Sequence, residues 1–136
     1  MSAIRAIVVF ALLISVAGCS SGPGAQTLRD SFAEQLSANK FITDFKRSGD
    51  EMTFQGPTAE GGKGSWRVRI DSAVVEATGK DAQPYKGTVK SSWFIGDEQV
   101  RPSGMDSNLP IELVSNGLSQ DCWALWDPVA SRWGWE

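Results

Sequence analysis

Two long segments of alternating residues, 65–77 and 85–95, constrain the fold of this 136-residue chain more than any other feature. In each segment apolar side chains occupy alternate positions, which is the period of a β-strand with one covered face. The residues predicted to face inward are Trp66, Val68, Ile70 and Val74 in the first segment and Tyr85, Val89, Trp93 and Ile95 in the second. We expect the two segments to pair as a long antiparallel hairpin.

The rest of the chain after residue 40 has the same character, because short apolar runs alternate with turn residues. Further strands are predicted at 42–47, 51–55, 99–101, 111–115, 120–126 and 132–135. Ser48-Gly49-Asp50 indicates one hairpin turn and Asn116-Gly117 the strongest one, since a type I′ turn needs positive φ at both central residues. The glycine-rich segment 56–64 is predicted to be a mobile loop.

Before this sheet, the periodicity predicts one amphipathic helix at 28–38. Its apolar positions recur every four residues, at Leu28, Phe32 and Leu36. Thr27 is the predicted N-cap residue, and Asn39 could end the helix in a left-handed conformation.

One helix followed by strands predicts an α+β fold, in which an N-terminal helix packs on a curved antiparallel sheet of about six or seven strands. By analogy of architecture, cystatin-like and nuclear-transport-factor-like sheets or a half-barrel would fit this order. We expect a single domain at 27–136. Architecture alone assigns no activity.

The N-terminus has the order of a secretory signal at residues 1–18. Arg5 is its one cation, an apolar run follows at 6–14, and small residues continue to Gly18. A bilayer core needs about 20 apolar residues, so the run is too short to cross a membrane. The segment therefore predicts a removable signal peptide.

The sequence Val16-Ala17-Gly18-Cys19 matches all four positions of a lipobox, and over about its first 20 residues the chain resembles bacterial prolipoproteins. The resemblance implies a diacylglycerol thioether on Cys19, cleavage before this residue and acylation of the new N-terminus. Residues 19–26 would then be a lipidated, flexible tether. An ordinary signal peptide or weak signal anchor with a chance cysteine is the alternative.

The residue after Cys19 bears on the membrane in which the lipoprotein would be anchored. In the lipoprotein resemblance an Asp at this place implies retention in the inner membrane, and here the residue is Ser20. We therefore expect a lipid-anchored protein of the outer membrane that faces the periplasm. In a host with a single membrane, it would be displayed on the cell surface.

Composition excludes several functions. The net charge is −3 and no basic stripe is present, which argues against nucleic acid as a partner. Histidine is absent, so a Ser-His-Asp or Cys-His mechanism cannot form and the commonest metal ligand is missing. We expect no enzymatic activity, no cofactor and no metal, and a buried, inert thiol at Cys122.

The candidate binding residues are tryptophans crowded near the C-terminus. They are Trp123, Trp126, Trp133 and Trp135. The sequence favours a non-enzymatic envelope module that binds another protein or a ligand through these residues. The alternative is a carbohydrate-binding module for peptidoglycan or surface polysaccharide that stacks sugar rings on the same indoles. A third interpretation gives these tryptophans no binding function and predicts that they fill the core.

Other polar groups carry weaker signals. The glycine-rich loop 61–64 lacks the spacing of a phosphate-binding loop. Asp71 and Glu76 are predicted on opposite faces of one strand, too far apart to act as an acid and base pair. Solvated turn positions are expected for Asp121, Asp127 and Glu136. A charged outer sheet face, or a docking patch for an acidic partner, is expected for Arg67, Arg69, Lys86 and Lys90.

Overall fold

The structure is a computed structural model that describes residues 22–101 and 108–136. Within these residues one main helix packs on a curled, seven-stranded antiparallel sheet that forms a half-barrel, so the predicted α+β fold is confirmed. The elements in chain order are α1 (Ala25–Ser37), β1 (Thr43–Ser48), β2 (Glu51–Pro57), β3 (Lys63–Ala77), β4 (Tyr85–Ile95), β5 (Glu98–Val100), α2 (Ile111–Val114), β6 (Asp121–Asp127) and β7 (Arg132–Trp135).

The strand order is β1-β2-β3-β4-β6-β7, and every pairing is antiparallel. The predicted hairpins at β1–β2 and β3–β4 are confirmed, and β6 and β7 form a third hairpin. Strand β4 is the centre of the fold, because its first half pairs with β6 and its last residues pair with β5. One end of β4 is therefore bordered by β6 and the other by β5.

Helix α1 covers the concave face of the sheet, which we call the inner face. Its buried apolar residues are Leu28, Phe32, Ala33 and Leu36. The helix approaches β4 closely at Gly87, where a Cβ atom would lie 2.6 Å from Cδ1 of Leu28. Only a glycine leaves room for this contact.

The predicted capping residues of this helix are wrong, and the helix begins at Ala25 and not at Leu28, whereas its end at Ser37 lies next to the predicted one. The N-cap residue is Gly24, which has no capping side chain, and Thr27 lies within the first turn. Asn39 does not adopt positive φ. Its buried amide instead donates to the carbonyl of Glu112 at 2.7 Å, and its side-chain oxygen accepts a hydrogen bond from the Phe41 N–H. The residue joins α1 to the segment around α2.

A β-bulge in β3 changes which residues face inward. Ile70 pairs with Ser91 and Ser72 with Lys90, so Asp71 is an extra residue in β3. The inward alternation of Trp66, Val68 and Ile70 is confirmed. Beyond the bulge it is reversed, so Val74 lies on the outer face.

The same bulge has two further consequences. Ala73 and Val75 pack against the core. Asp71 and Glu76, predicted on opposite faces, share the outer face, because the extra residue shifts the alternation by one. Glu76 pairs with Lys86 near the end of the strand, whereas Asp71 lies at the bulge itself.

The predictions for 111–117 are wrong. The segment 111–115 is not a strand but contains the short helix α2, from which only Leu113 is buried. Asn116-Gly117 does not close a hairpin. Gly117 has a φ of +78°, and its N–H donates to the carbonyl of Val114, so the glycine ends the helical turn.

Candidate functional site

The four candidate tryptophans are divided between the two faces of the sheet. Trp126 and Trp133 form a cross-strand pair in β6 and β7, and their rings meet edge to face at a centroid distance of 5.3 Å. Trp133 is 5% exposed. Trp135 is half-buried, and its indole N–H donates to the Ser31 hydroxyl of α1 at 3.1 Å. These three residues face the helix and pack against the core.

Trp123 lies on the opposite, outer face and is 40% exposed. Alternation along β6 separates it from Cys122 and Ala124, which are buried. The predicted set of four tryptophans therefore does not form one exposed platform, because only Trp123 faces away from the helix.

A row of side chains connects Trp123 to its neighbours across three strands. Trp123 pairs with Thr88 of β4, which in turn pairs with Val74 of β3. Val74 is 48% exposed. Directly opposite residues in antiparallel strands have Cβ atoms about 5 Å apart, so Thr88 is in reach of both Trp123 and Val74.

The next row on the same face contains Lys86 and Leu125, which also pair across β4 and β6. The Lys86 ammonium lies 4.8 Å from the centroid of the Trp123 ring, a cation–π geometry. We call Val74, Lys86, Thr88, Trp123 and Leu125 the outer-face strip. It combines an exposed indole and two aliphatic side chains with one cation and one hydroxyl.

The sequence pointed to Trp123 and Lys86 but missed Val74, Thr88 and Leu125 as members of a candidate site. The alternation up to Ile70 predicts that Val74 faces inward, and the sequence sign of the bulge at Asp71 is the run of consecutive apolar residues at 73–75. Thr88 and Leu125 become candidates only through their cross-strand partners, which a single sequence does not specify.

On the other half of the outer face, the charged side chains contact partners within the domain. Arg67 and Arg69 lie over the Phe94 ring, with guanidinium carbons 4.2 Å and 5.7 Å from its centroid. Arg67 forms an ion pair with Glu51 at 3.2 Å, and Arg69 forms one with Asp71 at 2.8 Å. Both arginines thus have acidic partners in the same domain.

Asp71 is a structural carboxylate in this network. Partial desolvation acts to raise the pKa of Asp71, but hydrogen bonds from Ser92 and Arg69 favour its charged form, and the net effect lowers the pKa. A general acid would need the opposite shift.

Of the three acidic residues predicted for turns, Asp127 has a structural role in the β6–β7 turn. The Asp127 carboxylate accepts hydrogen bonds from the backbone N–H groups of Val129 and Ala130 and so fixes the β6–β7 turn. Asp121 and Glu136 are exposed, but Asp121 is the first residue of β6 and not part of a turn. In the glycine-rich segment 61–64, Gly62 bonds to Thr58 in the β2–β3 turn, and residues 63 and 64 already belong to strand β3, so no helix follows.

Cys122 is buried at the junction of β6 and β4. Burial raises the pKa of Cys122 to about 11, and the negative charge of Asp121 adds to this effect. Its Sγ lies 3.8 Å from the carbonyl oxygen of Val89, so the neutral thiol fits its surroundings.

The predicted lipid site, Cys19, lies outside the described residues. The described chain begins at Gly22, whose α-carbon lies close to the Tyr85 ring: a Cβ atom there would be 2.4 Å from Cζ of Tyr85. Residues 25 and 26, assigned above to the tether, are the first two residues of α1. The folded domain thus starts within a few residues of Cys19.

Among residues 22–101 and 108–136, no group of three or more acidic or cysteine side chains is placed to hold a metal ion. No helix in these two ranges is long and apolar enough to cross a bilayer. No family model, curated protein or solved structure matches this chain.

Proposed function

We propose that this chain is a membrane-anchored lipoprotein of the bacterial envelope and that its domain is a non-enzymatic binding module. The lipobox ending at Cys19, after an apolar run too short to span a bilayer, supports the anchor. Ser20 supports an outer-membrane location facing the periplasm, or the cell surface in a host with one membrane.

The observation that carries the binding function is the outer-face strip. A strand residue such as Val74 gains free energy by burial, yet Val74 and Trp123 stand exposed in the same row of a sheet whose inner face is already covered. Trp is also prominent among residues that dominate binding energy at protein interfaces. The strip is the place where a partner would bury apolar surface.

The charges around the strip favour another envelope protein as this partner. Lys86 and Lys90 are accompanied on the outer face by Glu76 and Asp121, their direct cross-strand neighbours. An apolar centre within a rim of both charge signs resembles the composition of protein interfaces. A purely acidic partner would meet repulsion from the two carboxylates.

A glycan partner is the second candidate, and the exposed indole of Trp123 is the observation that favours it. A sugar ring could stack on this indole, with Thr88 and Asp121 as hydrogen-bonding groups beside it. The glycan site would then consist of one tryptophan, because Trp126, Trp133 and Trp135 are engaged on the inner face.

The anchor is tested by metabolic labelling with radioactive palmitate and by mass spectrometry of the N-terminal peptide. The wild-type protein should incorporate the label and lose residues 1–18. The variant Cys19→Ser should remain an unprocessed, unlabelled precursor. A wild-type protein that takes up no palmitate would refute the lipoprotein proposal.

The partner is tested by photo-cross-linking in cells from a benzophenone amino acid at position 88, at the centre of the strip. A discrete cross-linked protein should appear, and Trp123→Ala should abolish it without changing the thermal stability of the domain. Ile111→Ala is the matched control, since Ile111 is an equally apolar, 76% exposed residue outside the strip. Loss of the product in the Ile111 variant as well would contradict a specific site.

Intrinsic fluorescence with peptidoglycan fragments distinguishes the glycan-binding proposal from the protein-binding proposal. A saturable change that disappears in Trp123→Ala would establish the glycan site and displace the protein partner. If fluorescence stays constant with the fragments while the cross-link at position 88 persists, the protein-binding proposal stands.

A further inference from the structure

The path of the chain before α1 limits where the lipid anchor can attach to the domain. Gly22 packs against the Tyr85 ring at the first residue of β4. Consecutive Cα atoms are about 3.8 Å apart, so three steps place the Cys19 Cα within about 11 Å of Gly22. An acyl group on Cys19 would therefore be attached within about 11 Å of Gly22, on the side of the domain where β4 begins.

Two connections lie at this same end of the sheet. Residues 78–84 join β3 to β4, and residues 128–131 join β6 to β7. Because Lys86 pairs with Leu125, the end of β6 lies beside the start of β4. A cavity of about 410 Å³ is lined by residues that lie within or next to the two connections, among them Gln83, Trp126 and Asp127. We call this region the anchor-proximal end.

The anchor-proximal end presents an apolar residue in a fixed turn. Val129 is 95% exposed, the highest value among the exposed large apolar side chains of the described chain. The Asp127 carboxylate accepts hydrogen bonds from the N–H groups of Val129 and Ala130 at 2.9 Å and 3.1 Å, which fixes the turn that carries Val129. Half-buried Trp126 lies next to this turn and lines the cavity.

The charges of this end suit a membrane surface. The loop at 78–84 carries Lys80 and Asp81, and the β6–β7 turn is bounded by Asp127 and Arg132, so each connection is neutral. The whole chain has a net charge of −3. The two connections thus add no net repulsion from anionic lipid headgroups, and Glu136, which also lines the cavity, adds one acidic side chain.

We propose that the anchor-proximal end lies against the lipid bilayer, with Val129 in the headgroup region and Trp126 at the interface. The inference rests on the proposed lipidation of Cys19, because the acyl chains hold this end at the surface. Tryptophan is favoured at membrane interfaces, and a turn that holds an apolar side chain outward gives the domain a second contact beside its lipid. The outer-face strip would then stand directly above the membrane.

The test uses the full, lipidated protein in vesicles of phosphatidylethanolamine and phosphatidylglycerol, with an environment-sensitive fluorophore on Val129→Cys. The matched control is Asp97→Cys, an exposed position in the β4–β5 turn at the opposite end of β4. Cys19 is blocked by its thioether, and Cys122 is buried, so the wild-type protein serves as the unlabelled blank. Mass spectrometry of the N-terminal peptide establishes lipidation in the same samples.

The probe at position 129 should be quenched several-fold more strongly by lipids with a headgroup-level spin label than the probe at position 97, and should be protected from aqueous iodide. Equal quenching at the two positions, with Cys19 lipidated, would overturn the membrane contact alone. Protection from iodide without quenching by spin-labelled lipid would assign this end to a protein partner and also overturn it. An unlipidated Cys19 would overturn the proposed function together with this inference.

Discussion

At the scale of single residues, Cys122 shows how burial fixes the chemistry of a side chain. The thiol is the free cysteine of the described chain, and it is enclosed between β4 and β6. Burial disfavours the thiolate and raises the pKa to about 11. In an oxidising compartment the residue would remain a reduced, unreactive thiol, because the thiolate is the reactive form.

This shift predicts a loss of stability in alkali. The folded protein holds the Cys122 proton up to about pH 11, whereas the unfolded thiol loses it near 9.0. The stabilisation is therefore fully present below pH 9 and decreases as the pH rises towards 11, by about 2 to 3 kcal/mol in all.

Urea unfolding of wild type and Cys122→Ala between pH 8 and pH 11 measures this contribution. The free energy of unfolding of the wild type should fall relative to that of Cys122→Ala as the pH rises. The other titrating groups are common to both proteins and therefore cancel in this difference. A difference that stays constant over this range would show that the thiol has the same pKa in the folded and unfolded states.

At the scale of elements, the contact between α1 and the sheet depends on close approach at Gly87. This glycine occupies an inward position in β4, where a larger residue would meet the buried Leu28 side chain. Leu28 has no freedom to move away, since it is completely buried between the helix and the sheet. The depth at which α1 sits in the half-barrel is therefore set by one missing side chain.

We expect Gly87→Ala to lower the free energy of unfolding by about 1 to 3 kcal/mol, because the added methyl group overpacks the contact. Leu28→Ala should cost about 2 to 5 kcal/mol by leaving a cavity. In the double variant the new methyl group occupies part of that cavity. Chemical denaturation of all four proteins should therefore give a double-variant cost smaller than the sum of the single costs, and an additive result would contradict the contact.

The bulge in β3 is a second feature at the scale of elements, because it determines which residues of β3 lie on the inner and outer faces of the sheet. One extra residue at Asp71 turns Val74 outward and brings Ala73 and Val75 towards the core. The Asp71 carboxylate accepts hydrogen bonds from Ser92 and Arg69, which stabilise the bulge on the outer face. Without the bulge, Val74 would be buried and the outer-face strip would lose one of its two exposed apolar residues.

At the scale of the whole molecule, α1 supplies the second layer that the curled sheet needs. The inner face of the sheet holds the buried rings of Phe54, Trp66 and Trp93, and the helix closes one side of this core with its apolar stripe. A half-barrel without its helix would expose this apolar surface to water.

We therefore expect a domain of residues 22–136 to fold cooperatively, whereas residues 39–136 should not. Near-ultraviolet circular dichroism reports the fixed environment of the tryptophans, and urea titration reports cooperativity. The longer fragment should show both signals and the shorter one neither. A shorter fragment with the same tryptophan spectrum and unfolding transition would show that the sheet is stable alone.

The sequence by itself determined the elements whose signals are local. Strict alternation in 65–70 and 85–95, the apolar period of α1 and the turn at Gly49 all appear in the structure as predicted, since each depends on residues adjacent in the chain. The α+β class follows from the order of these elements. The proposed lipobox that ends at Cys19 is likewise a local sequence pattern, and proposing it required no fold.

The tertiary structure alone decided which faces those residues occupy. Trp123 and Trp126 differ in exposure because inward-facing side chains such as Trp133 cover only the inner face of β6, and the sequence of that strand does not specify them. Residues 111–114 have an apolar pattern too short to distinguish a strand from a helical turn. Burial and exposure are set by elements distant in sequence, so a single chain's local pattern predicts where strands run but not which side of them meets a partner.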